Sequence, residues 1–244
     1  MGNTPSTTSY KFKDSKEFRE GIRVWFSGEE NKYGHISTWN TEEIKDMSYL
    51  FFNEKNFNEN LNDWDVKDVA NMSHMFYGCE NFNKNLDKWD VRSVKNMRNM
   101  FGSCIEFNQD LSKWKVGSVT DMGSMFNGCH QFNKELGKWD VSSVNYMGSM
   151  FKGCHKFNQE LNDWDVKSVT SMNSMFNGCR KFNKDLSKWN VSKVSDMYSM
   201  FKGCTNFNKN LEKWNVTNVY FMGSMFEGSN VDMSALNGWD MGYK

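Results

Sequence analysis

The chain has 244 residues, and its 30 basic side chains are balanced by 30 acidic ones. A neutral total gives no global field for drawing in nucleic acid or an anionic membrane surface. No run approaches the roughly eighteen apolar residues of a membrane span, and the opening residues carry no apolar signal-peptide stretch.

Residues 1–13 read as a flexible tail. They begin Met1-Gly2-Asn3-Thr4-Pro5-Ser6, which fits the M-G-x-x-x-[ST] myristoylation pattern and makes Gly2 a candidate lipidation site. Membrane contact is expected only through acylated Gly2, and a single acyl chain anchors marginally. Residues 14–38 read as a helical cap. Asp14 and Glu17 resemble a capping box, and Phe18, Ile22, Trp25 and Phe26 fall on one helical face.

From residue 39 onward a fixed step governs the chain. Trp39, Trp64, Trp89, Trp114, Trp139, Trp164, Trp189, Trp214 and Trp239 are each 25 residues apart, with no insertion or deletion. Phe51 to Phe226, Met47 to Met222 and Leu61 to Leu236 keep the same step, and all six cysteines, Cys79 to Cys204, share one column. A constant period of this length marks a stacked repeat architecture. Within the turn around Met147, the residues Val144, Met147, Met150, Phe151 and Cys154 recur at spacings of three, three, one and three. That spacing predicts a short helix, with Ser142 or Ser143 as N-cap and Gly153 near its end. Asp163-Trp164-Asp165-Val166 alternates polar and apolar residues, which predicts a short strand. The expected class is therefore α/β: a right-handed leucine-rich-repeat-like solenoid over residues 39–228, with a short parallel strand and a short helix per 25-residue turn. One such turn is too small to fold alone, so capped ends are expected. Residues 229–244 read as a degenerate C-terminal cap, where Ser229, Asp232 and Met241 replace the column's Cys, Phe and Val.

The run Met-Phe-x-Gly-Cys-x-x-Phe-Asn-x-x-Leu-x-x-Trp-Asp-Val-x-x-Val-x-x-Met, repeated through residues 47–228, closely resembles the 25- to 26-residue repeat of the BspA-like leucine-rich-repeat surface proteins. That family includes bacterial surface lipoproteins, and related arrays occur in protists and large DNA viruses. The segment "YGHISTW", residues 33–39, is similar to the family's lead-in. The resemblance implies a leucine-rich solenoid with roles in adhesion or protein binding and no catalysis. This sequence shows neither the export signal nor the lipidated cysteine of the bacterial members, which favours an intracellular or virion-associated location.

Several residues suggest chemistry and have plainer readings. The cysteine column reads as a reduced, buried ladder, although adjacent turns do not forbid bridging. Cys129-His130 and Cys154-His155 suggest a nucleophile and base, but neighbours at this point should diverge, thiol inward and imidazole outward. His130 and His155 could stack and share a transition metal, yet the same column holds Glu80, Ile105, Arg180 and Thr205, which argues against a ligand row. The asparagine column, Asn58 to Asn208, reads as side chains that bond backbone at the same bend in each turn. Sequons at Asn71, Asn190 and Asn215 read as by-products of the repeat. With no P-loop, dinucleotide motif or nucleophile elbow, no enzyme, catalytic residue, metal or cofactor is expected.

The outward positions flanking the tryptophans are the candidate functional surface. One row holds Asp65, Asp90, Lys115, Asp140, Asp165, Asn190, Asn215 and Asp240, and beside it run Asp63, Lys88, Lys113, Lys138, Asp163, Lys188 and Lys213. The rows read either as a solvated, salt-bridged face or as a polar face for a protein partner, the latter being how solenoids characteristically bind. The rival function is a structural protein, packed side by side or end to end in a larger particle. Oligomeric state and partner identity are left open.

Overall fold

The computed structural model describes residues 9–28, 32–236 and 239. Its organising feature is a set of backbone hydrogen bonds between residues about one period apart. In the turn that begins at Met147, the amides of Met147, Ser149, Phe151 and Gly153 donate to the carbonyls of Ser171, Asn173, Met175 and Asn177 at 2.7–3.1 Å. The intervening amides of Met150, Lys152 and Cys154 instead close tight turns onto Met147, Ser149 and Phe151. The bonds between layers recur at each step from Met47 to Gly203, and the full set of turns from Met72 onward. Layers are thus joined by alternate N–H groups, while the remaining ones fold each layer.

The α/β expectation is overturned by this backbone. Among the described residues the one α-helix is α1, Ser15–Ser27, and pairing between turns consists of single parallel bridges such as Tyr146 with Ser171, not strands. No repeat contains a helix because Ser149 (φ 57°) and Gly153 (φ 73°) are left-handed, as are the equivalent positions in the other turns. A left-handed residue cannot continue a right-handed helix. The three-three-one-three spacing is met instead by successive turns that aim Met147, Met150, Phe151 and Cys154 inward. The expected strand fails for a related reason. Trp164 N–H closes a turn on Leu161 O at 3.0 Å, and Val169 N–H closes another on Val166 O at 3.0 Å. Polar–apolar alternation around Trp164 comes from two turns framing one buried ring.

The inward columns are nonetheless those that periodicity marked. In the same turn Val144, Met147, Met150, Phe151, Cys154, Phe157, Leu161, Trp164 and Val166 are all at most 3% exposed. Column Phe rings stack turn on turn, with centroids 5.8 Å apart for both Phe101–Phe126 and Phe126–Phe151. The polar atoms of the Trp and Cys columns are satisfied in this core. The indole N–H of Trp139 donates to Leu111 O at 3.0 Å, and the Cys154 thiol donates to Phe126 O at 3.0 Å. Both acceptors lie 28 residues upstream, so these bonds also clamp adjacent turns. On the outside, Asn158 N–H donates to Asn133 Oδ1 at 2.9 Å, and the same bond links successive asparagines from Asn58 to Asn208.

At the N-terminal end α1 begins as the sequence predicts. Asp14 accepts from Glu17 N–H at 2.8 Å while the Glu17 carboxylate accepts from Lys13 N–H at 2.9 Å. Phe18 is buried edge-on against Trp39 and Trp64, Ile22 is buried, Trp25 is half-buried, and Phe26 is 37% exposed. Of the expected tail, residues 1–8 lie outside the described residues, and Tyr10 and Phe12 are tied to the stack. Asn40 N–H donates to Tyr10 O, and Phe12 is buried beside Trp39. At the other end the repeat gives way to a 3₁₀ turn over Met233–Leu236, and Trp239 stacks on Trp214 at 6.3 Å. Gly2, Asp240 and Met241 lie outside the described residues.

Replacing Trp139 by Phe removes the indole donor and leaves the Leu111 carbonyl with the Trp114 amide alone. Trp139→Phe should lower the unfolding free energy in urea by about 0.5–1.5 kcal/mol for the lost bond. An unchanged urea midpoint would show that this clamp does not hold the turns together.

Candidate partner-binding face

Residues assigned from sequence to two outward rows do share one side of the stack, but the structure gives the Asp row a job of its own. Asp65, Asp90, Asp140 and Asp165 each accept, through Oδ1, the backbone N–H two residues ahead: Lys67, Arg92, Ser142 and Lys167, at 3.0–3.3 Å. These are Asx turns, which aspartate and asparagine favour for this reason. Asn190 and Asn215 make the same bond to Ser192 and Thr217. Bonds from the Arg92 side chain hold the Asp90 carboxyl below its ordinary range, and those from Ser142 do the same for Asp140. The row therefore folds its own bends before it offers anything to a partner.

The lysine row divides by position. Lys88 pairs with Asp63 at 2.6 Å and Lys188 pairs with Asp163 at 2.7 Å, in each case across one turn. Between them the column runs Lys88, Lys113, Lys138 without an acid, and the neighbouring row substitutes Lys115 for aspartate. Lys113, Lys115 and Lys138 are exposed and make no ion pair among the described residues. Lys213, near the C-terminal end, is likewise exposed.

A shallow cleft of about 360 Å³ opens at the same place, lined by Arg92, Trp114, Lys115, Gly117, Lys138 and Asp140 among others. Its origin is local. Lys115 cannot form the Asx turn that aspartate forms elsewhere, and Gly117 stands where other turns carry Lys67, Arg92, Ser142 or Lys167. A Cβ on Gly117 would come within 3.0 Å of the Asp140 carboxylate, so a side chain there would press on the wall of the cleft.

Other candidate chemistry resolves into structure. The six cysteines are free and fully buried, and burial pushes the Cys204 thiol up to about 12. His130 and His155 do stack, with centroids 4.5 Å apart, and burial and the neighbouring His130 hold His155 below its ordinary value. No group of three or more metal-ligating side chains occurs among the described residues. Two exposed aromatic groups were not singled out from the sequence. Tyr49 and Phe52 flank α1 and stack on His74 and Tyr77, while Tyr198, Tyr220 and Phe221 stand at the C-terminal end. The available signal was an aromatic residue in a column that is polar elsewhere.

The fold defines a repeat protein: a stack of 25-residue turns with a ring-lined core. The chain belongs to the family described as "Mycoplasma protein of unknown function, DUF285", whose model matches residues 20–138 and again 122–239. No curated protein and no solved structure matches it. No helix among the described residues is long and apolar enough to cross a membrane.

Buried thiols that donate to core carbonyls should not react with 5,5′-dithiobis(2-nitrobenzoate) in the folded protein, because the thiolate is the nucleophile. All six should titrate after unfolding in guanidinium. Rapid native labelling of any of them would contradict the placement of the column.

Proposed function

We propose that this chain is a non-catalytic repeat scaffold that binds a protein partner through its exposed polar face, in an adhesion-like or host-interaction role. The observation that carries the reading is the run Lys113, Lys115 and Lys138. These three lysines, on two adjacent turns, are exposed and make no ion pair among the described residues, whereas Lys88 and Lys188 on the same face are paired. Such a patch favours an acidic partner segment, since complementary charge steers encounter and fixes register. The remaining residues of the face, Asp65, Lys88, Asp90, Asp140, Asp165, Lys188 and Lys213, frame it. The resemblance to BspA-like arrays points the same way. An intracellular or virion-associated location accords with six free buried thiols.

Binding of a synthetic poly-glutamate peptide, followed by fluorescence anisotropy, tests the patch. It should weaken with salt, and by at least about tenfold in Lys113→Glu/Lys115→Glu/Lys138→Glu, with thermal stability unchanged. Equal binding by the triple variant and the parent chain would remove the basis for this reading.

A further inference from the structure

One backbone N–H of the outer face has a side-chain partner in layer after layer. Lys67, Arg92, Ser142 and Lys167 donate it to the Oδ1 of Asp65, Asp90, Asp140 and Asp165, and Ser192 and Thr217 donate it to Asn190 and Asn215. In the layer between Arg92 and Ser142 this position is Gly117, and Lys115 stands where the acceptor belongs. The Gly117 N–H meets no acceptor among the described residues.

The backbone around it is otherwise unchanged. Val119 N–H closes its turn on Val116 O at 2.9 Å, as Val144 N–H does on Val141 O at 2.9 Å in the next layer. The Gly117 N–H is therefore aimed as its counterparts are, toward the spot where they find an oxygen. That spot opens on the cleft of about 360 Å³ that Gly117 lines with Arg92, Lys115, Lys138 and Asp140.

Neighbouring layers show what such a spot accepts. Asp65 gives one oxygen to the Lys67 N–H at 3.0 Å and the other to Lys67 Nζ at 2.7 Å. Asp165 does the same with Lys167, at 3.3 and 2.6 Å. Asp90 divides its oxygens between the backbone and the guanidinium of Arg92. A carboxylate held by one N–H and one cationic side chain is thus a repeated arrangement on this face, and charge-assisted bonds of this kind are the stronger ones. In the layer of Gly117 the N–H and the cations remain, and only the carboxylate is gone.

The walls of the cleft fit an incoming group. Gly117 has no side chain to fill the space, and a Cβ there would lie 3.0 Å from Asp140 Oδ2. Asp140, the acid on the wall, is already bound through Oδ1 by the N–H and hydroxyl of Ser142. Arg92 is engaged by Asp90, which leaves the exposed Lys115 and Lys138 as the cations for a ligand.

We propose that the cleft at Gly117 takes up an aspartate or glutamate side chain of a partner protein. One of its oxygens accepts from the Gly117 N–H and the other from Lys115 or Lys138, so that the partner supplies the carboxylate this layer lacks. Resting on the reading of the lysine run as a partner-binding face, this adds the backbone donor that fixes where an acidic segment docks.

Two substitutions separate the N–H from the charge. Lys115→Asn and Lys115→Gln each remove one positive charge. Only the shorter side chain closes an Asx turn, as Asn190 and Asn215 do, and so occupies the Gly117 N–H. The full ¹⁵N-labelled chain is titrated with the poly-glutamate peptide. The Gly117 amide proton of the parent should move downfield to saturation, and Lys115→Asn should bind at least about fivefold more weakly than Lys115→Gln. Equal binding by the two variants, or peptide binding to the parent with the Gly117 resonance unmoved, would overturn the proposal. In either case binding lost in Lys113→Glu/Lys115→Glu/Lys138→Glu would leave the lysine face standing, whereas no binding by the parent chain would remove both.

Discussion

Four amides in every layer, at the positions of Met147, Ser149, Phe151 and Gly153, can be satisfied only by carbonyls of the next layer. A buried amide without a partner is costly, so this requirement fixes the rest of the structure. It forces each layer to be the same length, because one inserted residue would move every later N–H off its acceptor. It also explains why Trp, Cys and Asn side chains reach across layers at constant offsets, since a backbone in strict register offers each of them the same carbonyl or amide every time. The aromatic stack follows as well: rings at one position of superimposed layers have nowhere to go but onto each other.

What the sequence made legible was the register and the inside. Nine columns chosen by period alone are buried, and the Asp14–Glu17 start of α1 was visible as a capping box. The backbone path was not legible, for a specific reason. Inward residues at spacings of three, three, one and three fit a helix as well as a chain of tight turns, and only the torsion at Ser149 decides between them. Serine at a left-handed position carries no warning, whereas a glycine there would. Similarly, Asp-Trp-Asp-Val reads as an alternating strand unless the second Asp is recognised as the head of an Asx turn onto Lys167.

The outward rows show how the same residue types divide between folding and display. Asp90, Asp140 and Asp165 are committed to their own bends, and Lys88 and Lys188 to acids one turn away. Lys113, Lys115 and Lys138 have no such commitment, and Gly117 keeps the space between them clear. A stack of near-identical layers thus acquires a distinct region by losing a local bond, the Asx turn that Lys115 cannot form. At the N-terminal end Arg19 of α1 donates to two of the carbonyls of the first layer, those of Ser48 and Asp46.

The layer-to-layer bonds can be read directly by NMR, through scalar couplings across hydrogen bonds in deuterated, ¹⁵N,¹³C-labelled protein. Correlations should join the amide nitrogens of Met122, Ser124 and Phe126 to the carbonyl carbons of Tyr146, Gly148 and Met150. Correlations from these amides to carbonyls four residues upstream, as in an α-helix, would contradict the stacked-turn account.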